Sequence, residues 1–180
     1  MVPTVSLRPS SPETISTPID PLGLSPIPAD TRQRFLRFKL LGKYDSLLPL
    51  QDITEVKTLA ISDILPVPEQ KNSVLGVCNW RGEILWLADL NALVGDRPLW
   101  HQIPLLEEPI AIVVESAQRS VGLVVEKVDD IELIVPESIQ IQNDFCSPIQ
   151  ASYVAGYLPD HKGIILHTAA IVKHLLQGPP

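Results

Sequence analysis

The 180-residue sequence has no long apolar run, few aromatic residues and no cluster of basic residues. Its apolar runs are short, as in residues 110–114, whereas a membrane-spanning helix needs about 20 such residues. Lysine and arginine total 14 against 21 aspartate and glutamate residues, and this acidic balance argues against a nucleic-acid-binding protein. Aromatic residues make up only 5% of the chain, so the core must be built from leucine, isoleucine and valine.

The sequence also has few cysteines and lacks the pattern of an export signal. The amino terminus lacks the basic segment and apolar stretch of a secretory signal, so we expect a cytoplasmic protein with reduced thiols. The two cysteines, Cys78 and Cys146, have apolar neighbours and no CxxC partner. A buried structural thiol is therefore favoured over a redox or metal-binding role.

Proline, by contrast, is abundant, with 18 residues, or twice the usual share of about 5%. Seven of them lie in residues 1–31, together with many serines and threonines and without hydrophobic periodicity. Such a segment cannot bury enough apolar surface to offset the entropy lost on ordering, so residues 1–31 are predicted to form a flexible leader. The other prolines mostly bracket short apolar segments in residues 32–180, the predicted folded domain.

Residues 32–180 have the periodicity of short strands, because apolar and charged residues alternate along several segments. Residues 74–94 and 153–176 share one order of elements, namely strand, glycine turn, strand and short helix, with Gly76 matching Gly156. Many short strands with frequent turn signals favour small barrels over a parallel sheet. We therefore predict a mainly β fold of two similar modules in tandem, with short helices and a C-terminal helix.

Two helix starts are predicted from capping residues. Asp52 is placed to cap a short helical turn, because the apolar residues Ile53 and Val56 are spaced three apart. Thr168 is likewise placed to cap the closing helix, predicted over residues 168–176. Both predictions rest on local sequence alone.

The sequence lacks the common catalytic motifs. It has no glycine-rich phosphate loop, no GxSxG nucleophile turn and no HExxH zinc motif. We therefore expect a protein without enzymatic activity, cofactor or bound metal. Two alternatives stay open: a metal-dependent hydrolase using Asp160, His161 and His167, and a sensor domain that holds a small ligand between the two modules.

The turn between the predicted strands 74–80 and 83–88 carries unusual residues. A tight hairpin turn needs Gly82, but it gains little from the adjoining Trp80 and Arg81. Tryptophan and arginine are the residue types most enriched at the energetic centres of protein interfaces. Glu55 similarly interrupts an otherwise apolar stretch, so both segments are candidates for partner contact.

From Phe35 onward the sequence resembles the CheW-like adaptor domain of bacterial chemosensory systems. The resemblance spans roughly residues 34–176, and its most specific part is the Gly-Val-x-Asn-x-Arg-Gly block that begins at Gly76. The supporting segments are Phe35-Leu36-Arg37-Phe38, Leu48-Pro49-Leu50, Leu65-Pro66-Val67-Pro68, residues 121–128 and the Gly156 to Leu166 stretch.

The resemblance implies a fold, a function and a set of partners. The fold, within residues 32–180, is two intertwined, SH3-like, five-stranded β-barrel subdomains that share a hydrophobic seam. The function is non-catalytic coupling of the cytoplasmic tip of a methyl-accepting chemotaxis receptor to the regulatory domain of a CheA-type histidine kinase. Such an adaptor is cytoplasmic and reaches membrane receptor arrays only indirectly, through the receptors.

The resemblance also implies which residues bind partners: Ile53, Glu55, Val56, Asn79, Arg81 and Gly82. Trp80 is added to this set because tryptophan is enriched at interfaces. Two residues depart from the family pattern, because Trp80 stands where a small aliphatic residue is usual and Trp86 stands where proline is common. These departures and the proline-rich leader point to the branch of the family that serves type IV pilus motility, including phototaxis.

Overall fold

The computed structural model describes residues 30–40, 44–95, 97–101, 108–141, 149, 151–159 and 163–177. The chain divides into Met1–Asp30 and Thr31–Pro180, and the strands and helices of the described residues all belong to the second unit. Apart from its last two residues, the predicted leader lies outside the described residues, so its flexibility stays a prediction.

Strands dominate the described residues, and the two α-helices are short. Among these residues, no helix combines the length and the apolar character needed to cross a membrane. In chain order the elements are β1 (Gln33–Leu40), β2 (Tyr44–Pro49), β3 (Ile53–Thr58), β4 (Val74–Trp80), β5 (Glu83–Asp89), α1 (Leu90–Leu93), β6 (Ile110–Ser116), β7 (Arg119–Val125), β8 (Val128–Ile134), β9 (Val154–Tyr157), β10 (Ile164–Leu166) and α2 (Thr168–Leu176).

The strands form two five-stranded sheets with the same internal order. The terminal sheet, which contains both ends of the domain, runs β8-β1-β2-β10-β9, and the central sheet runs β3-β6-β7-β5-β4. The two orders are identical when corresponding strands are matched. Strands β8, β9 and β10 correspond to β3, β4 and β5, and strands β1 and β2 correspond to β6 and β7. The pairing directions also match, since β10–β2 and β5–β7 are parallel and the other pairs are antiparallel.

The predicted repeat is therefore present, but the tandem order suggested by the repeated pattern is wrong. The N-terminal β1–β2 hairpin does not belong to the module that follows it in sequence, because it completes the sheet made by β8, β9 and β10. The two modules are intertwined, and the central sheet is inserted between the two parts of the terminal one.

The repeat extends to the segments that cover the outer edges of β4 and β9. Leu65 exchanges backbone hydrogen bonds of 2.8 and 2.9 Å with Val77 of β4, and Gln140 does the same with Tyr157 of β9. A Cβ atom at Gly76 would lie 2.2 Å from the carbonyl oxygen of Leu65, so only glycine lets this segment approach.

A shared hydrophobic cluster joins the two sheets, as predicted. It contains buried residues of both sheets and both helices, among them Phe38 of the terminal sheet and Leu123 of the central sheet. Strand β6 is apolar on both faces, because Ile112 faces this shared cluster whereas Ala111 and Val113 face the central sheet's own core. Double burial explains why residues 110–114 read as an unbroken apolar run.

The helical turn predicted after Asp52 is wrong. The 3₁₀ turn there is Leu50–Asp52, and Ile53 and Val56 belong to strand β3. Strand β3 pairs with β6 from Ile53 to Thr58, so long-range backbone pairing overrides the weak local spacing signal.

The closing helix α2 has its predicted bounds but a different cap. His167, rather than Thr168, is the N-cap, because its Nδ1 accepts a hydrogen bond of 3.0 Å from the Ala170 N–H. At the other end, Lys71 Nζ donates to the carbonyl oxygens of His174 and Gln177, each at 3.3 Å. The helix is thus held at both ends over the shared cluster.

The imidazole of His174 predicts a pH dependence of stability. Its ring packs edge-on against Tyr153, with centroids 5.5 Å apart, and burial followed by the charge of Lys71 holds its pKa below the ordinary value. The unfolded chain therefore takes up a proton first as the pH falls, and the free energy of unfolding should decrease below about pH 6.5. This decrease should be smaller in a His174→Gln variant, as measured by urea unfolding between about pH 7.5 and 5.5.

The matched control is His101→Gln, which changes an exposed histidine and should retain the decrease in stability, because the contact of His174 with Tyr153 stays intact. An unchanged slope in the His174→Gln protein would contradict the assignment of the titrating group.

Candidate partner-binding site

The hairpin of β4 and β5 ends in a two-residue turn at Arg81 and Gly82. Both residues have positive φ angles, +53° and +86°, which is the geometry of a type I′ turn between the paired residues Trp80 and Glu83. The Asn79 Oδ1 atom accepts a hydrogen bond of 3.2 Å from the Gly82 N–H. The need for Gly82 in this turn was predicted, but the positive φ at Arg81 was not, and a non-glycine residue there costs about 1 kcal/mol.

Glu55 of β3 contacts this turn. Its Oε2 atom accepts hydrogen bonds from Trp80 Nε1 at 2.9 Å and from Arg81 Nη2 at 3.0 Å. The Arg81 guanidinium carbon lies 4.8 Å from the centre of the Trp80 ring, within the range of a cation–π interaction. We call these three residues the tip cluster. Because β3 and β4 are the two edge strands of the central sheet, the tip cluster also links the sheet's two edges.

Exposure changes across the tip cluster. The half-buried Trp80 packs against the core of the central sheet, whereas the Arg81 side chain is 62% exposed and that of Glu55 is 32% exposed. Trp80 therefore has two roles that the sequence could not separate: its ring fills space at the edge of the core, and its N–H holds Glu55. The cation that it stacks against remains accessible to solvent.

The electrostatics of the tip cluster favour an ionised Glu55. The hydrogen bond from Trp80 is the main reason that the pKa of Glu55 lies below its ordinary value, and Arg81 and Lys57 lower it further, against a smaller opposing effect of burial. The carboxylate therefore balances the charge of Arg81 at neutral pH. The tip cluster is a preformed pair of opposite charges rather than a free cation.

The remaining predicted contact residues do not all share this surface. Asn79 is exposed next to the turn, and Val56 is exposed on the face of β3 opposite to Glu55. Ile53 is half-buried and packs against the shared cluster. The structure thus brings Glu55 together with the hairpin turn but separates Ile53 and Val56 from it.

Sequence reasoning missed an apolar surface beside Asn79. Ile84, which pairs with Asn79 across the hairpin, is 76% exposed, and the half-buried Trp86 lies two residues further on the same face of β5 opposite Val77. We call Val77, Ile84 and Trp86 the hairpin face. The alternation of side chains along β5 could have predicted this surface. Leu85 and Leu87 fill the core, so the positions between and beside them must point outward.

The residues of the hydrolase alternative give no metal site in the part of the chain that the structure describes. His167 caps α2, while Asp160 and His161 lie outside the described residues, and these residues contain no group of three histidine, cysteine, aspartate or glutamate side chains placed to hold a metal ion. Cys78 is buried in the core of the central sheet, where burial raises its pKa. Cys146 lies outside the described residues.

Two small five-stranded sheets that share one core define a class of double-module β domain. Comparison with known proteins specifies the class further: the model of the CheW-like domain family matches residues 34–175. The chain belongs to the CheW-like domain family, and the resemblance noted from the sequence is confirmed.

Individual relatives agree with this assignment. The chain is 32% identical to the chemotaxis protein CheW of Rhizobium meliloti (strain 1021) over 93 residues, and 30% identical to a probable chemotaxis protein CheW of Rhizobium etli over 99 residues. These alignments cover 52% and 55% of this chain, and they span only 57% and 61% of the two relatives' lengths. A chemotaxis protein CheW of Klebsiella aerogenes is 25% identical over 124 residues, or 69% of this chain and 70% of that protein.

A solved structure has the same fold. The crystal structure of the scaffolding protein TtCheW from Thermoanaerobacter tengcongensis superposes with a TM-score of 0.63 over 75% of this chain and 87% of that one, at 23% sequence identity. This agreement confirms the predicted fold of two SH3-like barrels with few helices. CheW-like proteins are a family of non-catalytic scaffolds.

The hydrogen bond from Trp80 gives a direct test of the tip cluster. A Trp80→Phe variant keeps an aromatic ring beside Arg81 but loses the N–H donor, so the pKa of Glu55 should rise towards its ordinary value. Carboxyl-carbon NMR titration of the labelled protein measures this change. A Lys57→Gln control should raise the pKa much less, since Lys57 is the weakest of the contributing causes. Equal pKa values in wild type and Trp80→Phe would contradict the geometry.

Proposed function

We propose that the chain is a non-catalytic adaptor that couples methyl-accepting chemotaxis receptors to a CheA-type histidine kinase. Membership of a family of scaffolds supports this proposal, as do relatives described as chemotaxis proteins. The single observation that carries it is the tip cluster, where an exposed arginine is held in place on a hairpin turn. The proposed partners are the receptor's cytoplasmic tip and the kinase's regulatory domain.

The tip cluster suits binding because it is ordered before a partner arrives. Arg81 stacks on Trp80 and bonds to Glu55, so little side-chain entropy remains to be lost on association. A guanidinium has five N–H donors, and only the one from Nη2 is used by Glu55, so a partner's oxygen atoms can still be bound. Arg81 combines this donor capacity with a rigid position.

The hairpin face gives the tip cluster an apolar neighbour. Ile84 and Trp86 are placed to receive the apolar stripe of an amphipathic helix, while Arg81 and Asn79 meet polar groups at its side. The receptors bound by CheW-like adaptors have a helical cytoplasmic tip, so we assign the receptor to this surface. Val56, on the other face of β3, is then free to contact a second partner.

We place the adaptor in the cytoplasm, from where receptors would bring it to the membrane. Trp80 and Trp86, which depart from the family pattern on this surface, are the basis for proposing a pathway that controls type IV pilus motility. In that case, deleting the gene would impair twitching or phototactic movement of the source cells. Normal surface motility together with defective flagellar swimming would contradict this pathway assignment.

Reversing the charge of Arg81 tests the proposed binding role. We expect Arg81→Glu to place a second carboxylate beside that of Glu55 and to weaken binding by at least about thirtyfold, since truncating a charged interface centre costs roughly 2 kcal/mol or more. The fold should persist because the side chain is 62% exposed. Binding is measured by calorimetry against the receptor tip and the kinase domain that co-purify with the wild-type chain.

Lys127→Glu is the matched control, because the Lys127 side chain is also a solvent-accessible cation, at 61% exposure, and its ion pair with Asp129 is 3.8 Å long. It should bind both partners normally. Undiminished binding of the Arg81→Glu protein to both partners would refute the role of the tip cluster.

A further inference from the structure

A cleft of about 440 Å³ lies between the β6–β7 turn and helix α2. Its apolar wall is formed by Ala169, Val172 and Leu176, which share one face of the helix. Two cations, Arg119 at the start of β7 and Lys173 on α2, also line the cleft, together with Ala117 and the polar side chains of Ser116 and Gln177. The cleft is remote in sequence from the tip cluster and shares no residue with it.

The two cations of this cleft have no side-chain partner within the described part of the chain. No ion pair or side-chain hydrogen bond is formed there by Arg119 or by Lys173, and the cleft's lining includes no aspartate or glutamate. Two cations without an acidic partner among the described residues therefore line one concave surface of a chain whose formal charge is −7. An anion is the group that would balance them.

The turn that positions Arg119 is strained. Ala117 and Gln118 have φ angles of +50° and +61°, so both occupy the left-handed region that a type I′ turn requires and that glycine or asparagine usually fills. This conformation is unfavourable for both residues, because their Cβ atoms crowd the following carbonyl oxygen. Residues held in this way concentrate at binding sites, and here the turn sets the first residue of β7 at the cleft.

We propose that this cleft binds a small organic anion with an apolar body, such as an aliphatic carboxylate or phosphate ester. Its volume lies within the range of roughly 300–1,000 Å³ that is typical of small-molecule sites. The anionic group would lie between Arg119 and Lys173, and the apolar body would lie along Val172 and Leu176. The proposal is independent of the adaptor function.

This placement differs from the small-ligand alternative raised by the sequence. That alternative put the ligand between the two modules, but the space between the sheets is filled by the shared cluster. The cleft lies instead at the rim of that cluster, between a hairpin of the central sheet and the helix that follows the terminal sheet. A bound anion would therefore tie the two modules together and raise the resistance of the domain to unfolding.

The experiment uses the full chain and octanoate as the probe, with octan-1-ol and octyltrimethylammonium as neutral and cationic counterparts. Calorimetry should show saturable binding of one octanoate per chain, and the thermal midpoint should rise with octanoate alone. Arg119→Gln and Lys173→Gln should each weaken octanoate binding at least about fivefold, since each removes a charge-assisted hydrogen bond. Octyl phosphate, tested in parallel, distinguishes a phosphate ester from a carboxylate as the preferred anion.

Lys127→Gln and Arg81→Glu are the controls, and both should bind octanoate as the wild type does. The proposal is overturned by equal binding of octanoate and octan-1-ol, by octanoate binding that survives both cleft substitutions, or by no saturable binding of either anion up to about 10 mM. The proposal would also be overturned if an acidic helical peptide bound in the cleft and octanoate did not, because the cleft would then be a protein contact. If the chain failed to bind a receptor or a kinase, the expected octanoate results would be unchanged. The adaptor proposal and the anion-binding proposal can therefore be refuted independently.

Discussion

The hydrophobic cluster shared by the two sheets is the constraint on which the rest of the structure depends. It draws buried side chains from both sheets and from both helices, and strands such as β6 are buried on both faces because of it. Each fully buried Val, Leu or Ile contributes roughly 1.5–3 kcal/mol relative to exposure, so neither sheet could keep its fold with this face in water. The intertwined chain path has the same effect, because the β1–β2 hairpin completes a sheet whose other strands lie at the far end of the sequence. The domain is therefore one cooperative unit made from two similar halves.

The surfaces proposed to bind partners are at positions that this shared core leaves free. One face of the central sheet is covered by the terminal sheet near β6 and β7, but the β4–β5 hairpin extends past the covered region and exposes Ile84. At the tip of the same hairpin, Glu55 joins the two edge strands through Trp80 and Arg81. The sheet is a rigid support, and the side chain of Arg81 is already ordered at its edge. Such an arrangement suits a weak protein contact that forms in many copies, since a pre-ordered side chain loses less entropy at each binding event. The core packing and the proposed binding surface thus use the same hairpin but different faces of it.

Local sequence predicted the parts of this structure that local chemistry decides. The β4–β5 hairpin and α2 lie within a residue or two of their predicted bounds, because glycine turns and hydrophobic periodicity act over a few residues. The segment with Ile53 and Val56 forms a strand instead of the predicted helical turn, because its partner β6 lies more than fifty residues away. The contact of Glu55 with Trp80 was missed for the same reason, since it forms only when the edges of the central sheet meet. The His167 cap was missed because histidine is an uncommon N-cap residue.

The central proposal is that one chain holds a receptor and a kinase at the same time. The most direct test is sedimentation of the purified chain with the receptor tip and the kinase regulatory domain, alone, in pairs and all together. We expect a ternary complex that contains all three proteins and that is lost when the wild-type chain is replaced by its Arg81→Glu variant. Mutually exclusive binding of receptor and kinase, with only binary complexes at saturating concentrations, would contradict this claim.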